Sequence, residues 1–258
     1  MLVDSHTHLD QSKEQAADLV VAARTAGVGL IIQSGINLEA SLESVRLAEE
    51  FPEVFASVGF HPQESGELTA EAFEQIERLT SQPKVVAVGE TGFDFYHDNW
   101  PHEVQEQAFV RHLQLARHAG LPVVIHTRDA AEPTLAVLER HAQGLTVVLH
   151  CFSLPDHLDL ILERGYYLSF AGNVTYRSAT NLQDAARAVP GERLLLETDA
   201  PWLTPVPLRG RPNSPALVAK VYEFVAGLRG VEVADLARQI EANVKSAFPR
   251  LAEHLRAG

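Results

Sequence analysis

Residues 3–10 of the chain read VDSHTHLD, and this stretch predicts a first strand that ends in a His-x-His pattern. Side chains alternate between the two faces of an extended strand, so His6 and His8 point the same way and can hold one cation between them. A His-x-His pair by itself is a weak signal, because two histidines on one strand are often only a polar edge. The stretch therefore predicts half of a metal site, and the rest of the chain decides whether the other half exists.

Apolar runs typical of buried strands alternate with amphipathic runs typical of helices along the whole chain. The strand candidates lie near Val3, Val28–Ile32, Val54–Gly59, Lys84–Gly89, Pro122–Ile125, Leu145–Leu149, Tyr166–Phe170 and Arg193–Leu196. The helix candidates between and after them are Gln11–Ala26, Leu38–Glu50, Thr69–Thr80, Pro101–Ala119, Ala131–His141, Pro155–Arg164, Ser178–Val189, Ala216–Leu228 and Val233–Phe248. Eight strands that each precede a helix predict an α/β protein, a (β/α)₈ TIM barrel, formed as a single domain over residues 1–258. The alternative is a doubly wound open sheet, but the Gly-rich nucleotide loop expected after an early strand of that fold is absent from the sequence.

Composition narrows the classes of protein to consider. The 258 residues are 46% hydrophobic, which is enough for a large core, and the formal net charge is −13. Such a charge argues against a protein that grips duplex nucleic acid along a broad basic face, although a divalent cation can supply positive charge locally to a phosphate substrate. The single cysteine, Cys151, excludes an intrachain disulfide. With neither a secretory signal nor an apolar run of membrane-spanning length, the sequence predicts a cytoplasmic protein without a membrane partner or an evident obligate protein partner.

Side chains that bind divalent metals follow six of the eight predicted strands. In a barrel of this class the active site gathers at the carboxyl ends of the strands. The candidates at these ends are His6, His8, His61, Glu90, His126, His150 and Asp199. Any one of them is readily explained as a polar residue at a strand end, but seven at equivalent points predict a site for divalent metal.

This collection suits two-metal hydrolysis. Two cations roughly 3.5–4 Å apart can share a hydroxide and stabilise an in-line displacement, which requires a bridging carboxylate. Glu90 is the expected bridge, and Asp199 is expected both to ligate a metal and to take the proton of the attacking water, so these two residues are the catalytic candidates. Glu197, two residues before Asp199 and on the same face, is expected to support a ligand rather than to be one.

Six stretches of the chain share a resemblance to one protein family. They are VDSHTHLD (3–10), GFHP (59–62), VGETGFDF (88–95), HTRDA (126–130), HCFS (150–153) and ETDAPWLTP (197–205). In this order they closely resemble the TatD-type metal-dependent deoxyribonucleases, which belong to the wider amidohydrolase group of barrels. The resemblance implies a (β/α)₈ barrel and a 3′–5′ exodeoxyribonuclease that releases nucleotides by means of a metal-activated water.

The resemblance also implies the ligands of one or two divalent cations per chain. Magnesium is expected, with manganese or zinc as alternatives. By position, the first metal is expected to be held by His6, His8, Glu90 and Asp199, and the second by Glu90, His126 and His150.

The chain departs from the family pattern at two positions. Thr7 stands where such proteins often have Cys, and this side chain is expected to point away from the site. Ser214, in RPNSP (211–215), stands where the family commonly has the Glu of Arg-Asn-Glu-Pro. The second departure concerns substrate preference rather than the metal ligands.

Other residues near the strand ends are candidates for binding the substrate, expected to be a single-stranded DNA end. Arg128 is expected to hold a phosphate oxygen, with an ion pair to Asp129 or Glu132 as the alternative. His61 is expected to contact phosphate, with a helix-capping role as the alternative. Asp94 and Tyr96, which follow Glu90, are interpreted as exposed loop residues, with shaping of the mouth of the site as the alternative.

Several aromatic residues and histidines have two interpretations. The aromatics are expected either to stack on unpaired bases or, for at least half of them, to pack the loops: Phe60, Phe93, Phe95, Phe152 and Trp202. The histidines outside the strand ends, among them His112, are interpreted as surface or capping residues.

The sequence leaves two other functions open. The same site on the same barrel can serve an amidohydrolase-like hydrolase of a small amide, ester or lactone, which a closed apolar pocket would favour. A metal-loaded binding protein without turnover is a third hypothesis, and the presence of Asp199 with every ligand argues against it.

Overall fold

The fold is that of a computed structural model, which describes residues 1–97 and 99–257. Within these residues eight strands form one parallel sheet in the order β1 to β8. The strands are β1 (Leu2–Thr7), β2 (Val28–Ser34), β3 (Val54–Val58), β4 (Val85–Asp94), β5 (Val123–Arg128), β6 (Val147–Leu149), β7 (Tyr167–Phe170) and β8 (Leu194–Leu196). Sequential order in a parallel sheet, with a helix after each strand, is the topology of a (β/α)₈ TIM barrel, and the predicted fold class is confirmed.

In the described residues one α-helix follows each of the strands β1 to β7, and three follow β8. They are α1 (Ala16–Thr25), α2 (Leu38–Glu50), α3 (Ala70–Leu79), α4 (His102–Ala119), α5 (Ala131–His141), α6 (Leu158–Glu163), α7 (Thr180–Ala188), α8 (Val218–Arg229), α9 (Val233–Ala247) and α10 (Pro249–Ala257). Local signals set their ends: the Thr69 side chain accepts a hydrogen bond from Ala72 N at the start of α3, and Gly120 ends α4 in the left-handed conformation. None of these helices is both long enough and apolar enough to span a membrane.

The first helix begins later than the sequence predicts. Residues 11–15 do not join α1, and Leu9–Gln11 form a short 3₁₀ turn instead. The side-chain oxygen of Gln33 accepts a hydrogen bond from Leu9 N at 2.6 Å, which fixes the chain in this turn. A contact between residues 24 positions apart is invisible to a local pattern, so the prediction of a helix from Gln11 was wrong.

Strand β4 extends further than its apolar run. The predicted strand ended at Gly89, whereas pairing with β5 continues from Thr91 opposite Ile125 to Asp94 opposite Arg128. Glu90 therefore lies within the strand, and Glu90, Gly92 and Asp94 share one face because strand side chains alternate. Gly92 has a φ of +138°, and a Cβ at this position would collide with the carbonyl oxygen of His126. Only glycine permits this approach of the two strands.

The described chain divides into two compact units. The first contains residues 1–33 and 150–246, and the second contains residues 34–149 with the segment from Ala247 onward. In the first unit the buried hydroxyl of Tyr222, on α8, accepts a hydrogen bond from Val3 N and donates one to Val3 O, both at 3.1 Å. The helix thus fixes the strand that contains His6 and directly precedes His8. The assignment of the chain to a single domain stays a prediction.

A buried histidine fixes the end of β3 in the second unit. His112 of α4 is fully buried, so its interpretation as a surface residue was wrong. Its Nδ1 donates to Ala108 O at 2.7 Å, and its Nε2 accepts from Phe60 N at 3.0 Å. The pKa of His112 is lowered to about 4. Burial is the main cause, the charge of Arg111 acts in the same direction, and the hydrogen bond to Ala108 acts in the opposite direction.

We expect His112 to make the protein less stable in acid. Because its pKa falls from 6.5 to about 4 on folding, the unfolded chain takes up the proton first as the pH drops. The stabilisation is complete above pH 6.5 and is lost as the pH falls through about 4, amounting to about 3 kcal/mol. Urea unfolding between pH 4 and 7 should show a shallower pH dependence in His112→Gln than in wild type. His118→Gln, which removes a histidine nearer the surface of the same helix, is the control and should keep the wild-type slope.

Candidate metal centres

Three predicted ligands converge in the first unit. His6 lies in β1, His8 directly follows this strand, and Asp199 follows β8. The Nε2 atoms of His6 and His8 are 3.1 Å apart, and Asp199 Oδ1 lies 3.9 Å from the first and 3.5 Å from the second. Both imidazoles are buried, whereas 14% of the Asp199 side chain is exposed. Solvent therefore reaches these three residues from the side of the carboxylate rather than from the side of the histidines.

The spacing of these three atoms fits a divalent cation. A point equidistant from them in their plane lies about 2.0 Å from each, which is the usual bond length from zinc to imidazole nitrogen or carboxylate oxygen. Two neutral imidazoles and one carboxylate also form a donor set that such metals accept. The residues therefore fit the metal that the sequence predicts.

Backbone hydrogen bonds between β1 and the segment after β8 hold this set in place. Asp199 N donates to His6 O at 3.0 Å, and His8 N donates to Ala200 O at 2.8 Å. Asp199 has a φ of +53°, in the left-handed region that Asp and Asn tolerate better than most residues. This turn directs the carboxylate toward the two histidines.

Asp4 supports the same pair of segments and was not among the residues predicted from the sequence. Its buried carboxylate accepts hydrogen bonds from Thr198 N at 2.9 Å and from the Thr198 hydroxyl at 2.6 Å. Burial raises the pKa of Asp4 to about 8, although the bonds from Thr198 act in the opposite direction. The signal was present, since Asp4 lies two residues before His6 and shares its face of β1.

His150 lies beside this set, and Glu197 orients it. The His150 ring stacks on that of His6 with centroids 3.9 Å apart. Its Nδ1 lies 3.3 Å from Glu197 Oε1, which also accepts from Cys151 N at 2.7 Å. A hydrogen bond from Nδ1 to the carboxylate leaves the Nε2 lone pair for a metal, and this is the supporting position predicted for Glu197.

The pKa of Asp199 reflects its neighbours. Burial raises it, but the hydrogen bond with His8 and the nearby His150 and His6 rings outweigh burial, so the pKa lies below its usual value. The carboxylate is therefore charged at neutral pH. An anion in a buried site lined by histidines favours a bound cation.

Glu90 and His126 form the core of a second set, in the second unit. His126 Nδ1 lies 3.0 Å from Glu90 Oε1, and His61 Nε2 lies 3.4 Å from the same oxygen. Ligand atoms of the three residues lie within 4.8 Å of one another. Glu90 is 2% exposed, and its backbone N donates to Gly35 O at 3.1 Å, which fixes its position on β4.

Asp94 lies on the Nε2 side of the His126 ring, away from the nitrogen that faces Glu90. With a metal on Nδ1, which faces Glu90, the neutral ring would carry its proton on Nε2, and Asp94 Oδ2 lies 3.5 Å from that atom. A lone pair and a carboxylate oxygen at 3.0 Å need a proton or a cation between them. This pair therefore also fits a divalent metal, with Asp94 in the orienting position.

Asp94 is buried, so its interpretation as an exposed loop residue was wrong. Its Oδ1 accepts from the backbone N atoms of Tyr96 and His97, and its Oδ2 accepts from Gln63 Nε2. Burial raises its pKa, but the hydrogen bonds from His126, His97 and Gln63 outweigh burial and hold the pKa well below its usual range. The missed signal is the register of β4, in which Asp94 lies four residues after Glu90 on the same face.

His61 is better suited to donate a hydrogen bond than to ligate a metal. Gln63 N donates to His61 Nδ1 at 3.1 Å, so the neutral ring carries its proton on Nε2, the atom that faces Glu90. A protonated Nε2 can donate to an anion but cannot bind a metal. The ring also caps the 3₁₀ turn Pro62–Glu67, which was the alternative role.

We expect Asp94→Asn to lower metal affinity and activity by about 10- to 100-fold, because loss of an orienting carboxylate typically has this effect. Asparagine keeps the shape but places a neutral group opposite His126. Calorimetric metal titration and turnover should both report the change. Asp184→Asn, at an exposed carboxylate on α7, is the control and should match wild type. Wild-type metal affinity in Asp94→Asn would contradict the orienting role.

The other candidates near the strand ends fall into two groups. Phe60, Phe93 and Phe152 are at most 2% exposed and pack, whereas Trp202 is 49% exposed. The guanidinium of Arg128 lies 3.9 Å above the ring of Tyr96, which is 61% exposed. Arg128 itself is exposed, so the cation remains accessible to an anionic ligand.

Comparisons with known proteins agree with this site chemistry. Residues 3–249 match the family described as TatD related DNase. The "Uncharacterized metal-dependent hydrolase YcfH" of Escherichia coli K12 is 40% identical over 254 residues, which cover 96% of this chain and 95% of that protein. The "3'-5' ssDNA/RNA exonuclease TatD" of Escherichia fergusonii is 37% identical over 238 residues, covering 90% and 92%.

A solved structure agrees as well. The crystal structure of YjjV, a TatD homologue from E. coli K12, superposes with a TM-score of 0.90 at 30% identity and covers 96% of this chain and 98% of that one. The family match spans nearly the whole chain and includes every residue of both candidate metal sets. The chain belongs to the TatD related DNase family of metal-dependent hydrolases.

Proposed function

We propose that this protein is a 3′–5′ exonuclease that hydrolyses the terminal phosphodiester bonds of single-stranded DNA. The observation that carries the proposal is the set of His6, His8 and Asp199, whose spacing fits one divalent cation beside an accessible carboxylate. The relative from E. fergusonii is named a 3'-5' ssDNA/RNA exonuclease, which supports the same substrate class.

A divalent cation bound by these residues would supply Lewis acidity to a water molecule and to the phosphoryl oxygens. The protein contributes the remaining groups. Asp199, charged at neutral pH, is placed to accept the proton of the attacking water. His61 Nε2 donates toward anionic oxygen, and Arg128 offers an exposed guanidinium to a phosphate.

The assignment of metals to ligands is part of the proposal. We assign one cation to His6, His8 and Asp199, with His150 beside them, and a second to His126 with Glu90. The resemblance implied that Glu90 serves both cations and that His150 serves the second, and these two assignments stay predictions. Magnesium is the expected metal, and manganese and zinc are the alternatives.

The test uses a 5′-labelled single-stranded oligonucleotide with magnesium, manganese or no divalent metal. The proposal expects a ladder of products, each one nucleotide shorter at the 3′ end, only when metal is present. An oligonucleotide with phosphorothioate linkages at its 3′ end is the control and should resist shortening. Matched duplex DNA and RNA substrates define the preference of the enzyme.

Failure of this test has a defined meaning. No shortening by protein that is shown to contain metal would overturn the exonuclease proposal. Turnover of a lactone, ester or amide in a substrate screen would then establish the small-substrate hydrolase. Metal binding without any turnover would establish the binding protein.

A further inference from the structure

Two loops of the first unit carry a concentration of positive charge. Residues 171–179 follow β7 and residues 200–215 follow β8. They contain Arg177, Arg209 and Arg211, all exposed, and no aspartate or glutamate. In a chain of net charge −13, two segments that contain three arginines and no carboxylate favour an anionic ligand.

Hydrogen bonds join the two loops into one surface. Val206 N donates to the Thr175 hydroxyl at 2.8 Å, and the Tyr176 hydroxyl donates to Thr204 O at 3.2 Å. The guanidinium of Arg209 lies 4.1 Å above the Tyr176 ring, which crosses from one loop to the other. We call this surface the β7–β8 rim and define it as Tyr176, Arg177, Trp202, Arg209 and Arg211.

Trp202 connects the rim to the metal ligands of the same unit. Its ring is 5.2 Å from that of His8 and nearly perpendicular to it, at 68°. Trp202 N donates to Asp199 O at 3.0 Å, and Asn213 Nδ2 donates to Trp202 O at 2.5 Å, so the backbone is held on both sides. With 49% of this large apolar residue exposed, a flat partner is expected to cover it.

We propose that the β7–β8 rim binds the unpaired nucleotides that precede the 3′ end, with a base stacked on Trp202 and the phosphates held by Arg177, Arg209 and Arg211. Aromatic rings beside cations are the general means of binding single strands without sequence preference. This inference rests on the proposed function, because it extends the substrate of that same site from a terminal nucleotide to a short strand.

The test measures binding without turnover. Oligothymidylates of two, four, six and eight nucleotides, labelled at the 5′ end, are titrated in EDTA and followed by fluorescence anisotropy. We expect the six-nucleotide strand to bind at least about tenfold more tightly than the dinucleotide, since one stacked base alone contributes this much. An affinity independent of length would overturn the proposal.

Variants then assign the effect to the rim. In Arg177→Ala/Arg209→Ala/Arg211→Ala, the slope of log affinity against log salt should fall by about 2, because each phosphate contact on a single strand contributes about 0.7. Trp202→Ala should weaken binding of the six-nucleotide strand about tenfold, whereas Trp202→Phe, which keeps an aromatic ring, should lose less. Arg238→Ala, at an exposed arginine on α9, is the control and should bind as wild type.

The outcomes separate this inference from the proposed function. If the protein shortens DNA but its binding does not depend on strand length, the proposal that the β7–β8 rim binds the strand is wrong and the proposed exonuclease activity stands. If wild type binds in a length-dependent manner, the arginine variant loses this binding and the protein shortens no DNA, strand binding by the rim is supported and the proposed exonuclease activity is wrong. Equal losses in Arg238→Ala and in the rim variants would overturn the rim, because the effect would then reflect overall charge.

Discussion

Asp199→Asn is expected to lower kcat for oligonucleotide shortening by about 1,000-fold or more. Loss of a general base alone typically costs about 10²- to 10⁴-fold, and this substitution also removes an anionic metal ligand. Asparagine has nearly the same shape and tolerates the φ of +53° at this position, so the fold should be preserved. The change therefore isolates the charge.

The measurement pairs single-turnover shortening with calorimetric metal titration. Asp199→Asn should lose the metal assigned to His6, His8 and Asp199, and its circular dichroism and thermal unfolding without metal should match wild type. Asp184→Asn, at an exposed carboxylate in the same unit, should behave as wild type. Activity within tenfold of wild type would show that Asp199 is neither the base nor a required ligand.

Glu90→Gln is expected to have an effect of similar size, about 1,000-fold on kcat, through the second set. The glutamine side chain is neutral, and its NH₂ group can donate to His126 Nδ1, which occupies the lone pair that the metal requires. Because Glu90 is only 2% exposed, its charge is costly to bury when no metal is bound, and the substitution removes this cost. The metal-free variant should thus be at least as stable as wild type while its activity is lost.

The metal content of Glu90→Gln tests its assignment. Loss of the His126 metal alone would limit Glu90 to the second set, and loss of both metals would confirm the bridging role predicted from the sequence. Glu106→Gln, at an exposed glutamate on α4, is the control and should retain full metal content. A variant that keeps every metal and wild-type turnover would remove Glu90 from the site.

The sequence predicted the fold class and the convergence of the ligands because both depend on regular patterns. Strand-helix alternation determines the topology, and the carboxyl end of each strand is where its apolar run stops. The candidates were therefore predicted to gather at one end of the strands, whereas the grouping of His6 and His8 with Asp199, which lie together in the first unit, was implied by the family resemblance. The resemblance likewise implied the pairing of Glu90 with His126.

Features that depend on long-range contacts could not be predicted from the sequence. His112 lies within an amphipathic helix, and its pattern gives no sign that Nε2 reaches Phe60 N, 52 residues away in the chain. Asp94 was assigned to a loop because the apolar run stops at Gly89, although backbone pairing with β5 carries the strand to Asp94. The start of α1 was misplaced because Gln33 holds Leu9.

The contact of Gly92 with the His126 carbonyl has a consequence for altering the enzyme by directed evolution. Any side chain at position 92 must push β5 away, and with it the proposed metal ligand His126, so we expect a library to tolerate only glycine at this position. Arg177, Arg209 and Arg211 are exposed, so their substitution causes no comparable collision with the backbone. We therefore expect variants with an altered substrate range to arise from substitutions in the loops after β7 and β8, with Gly92 kept unchanged.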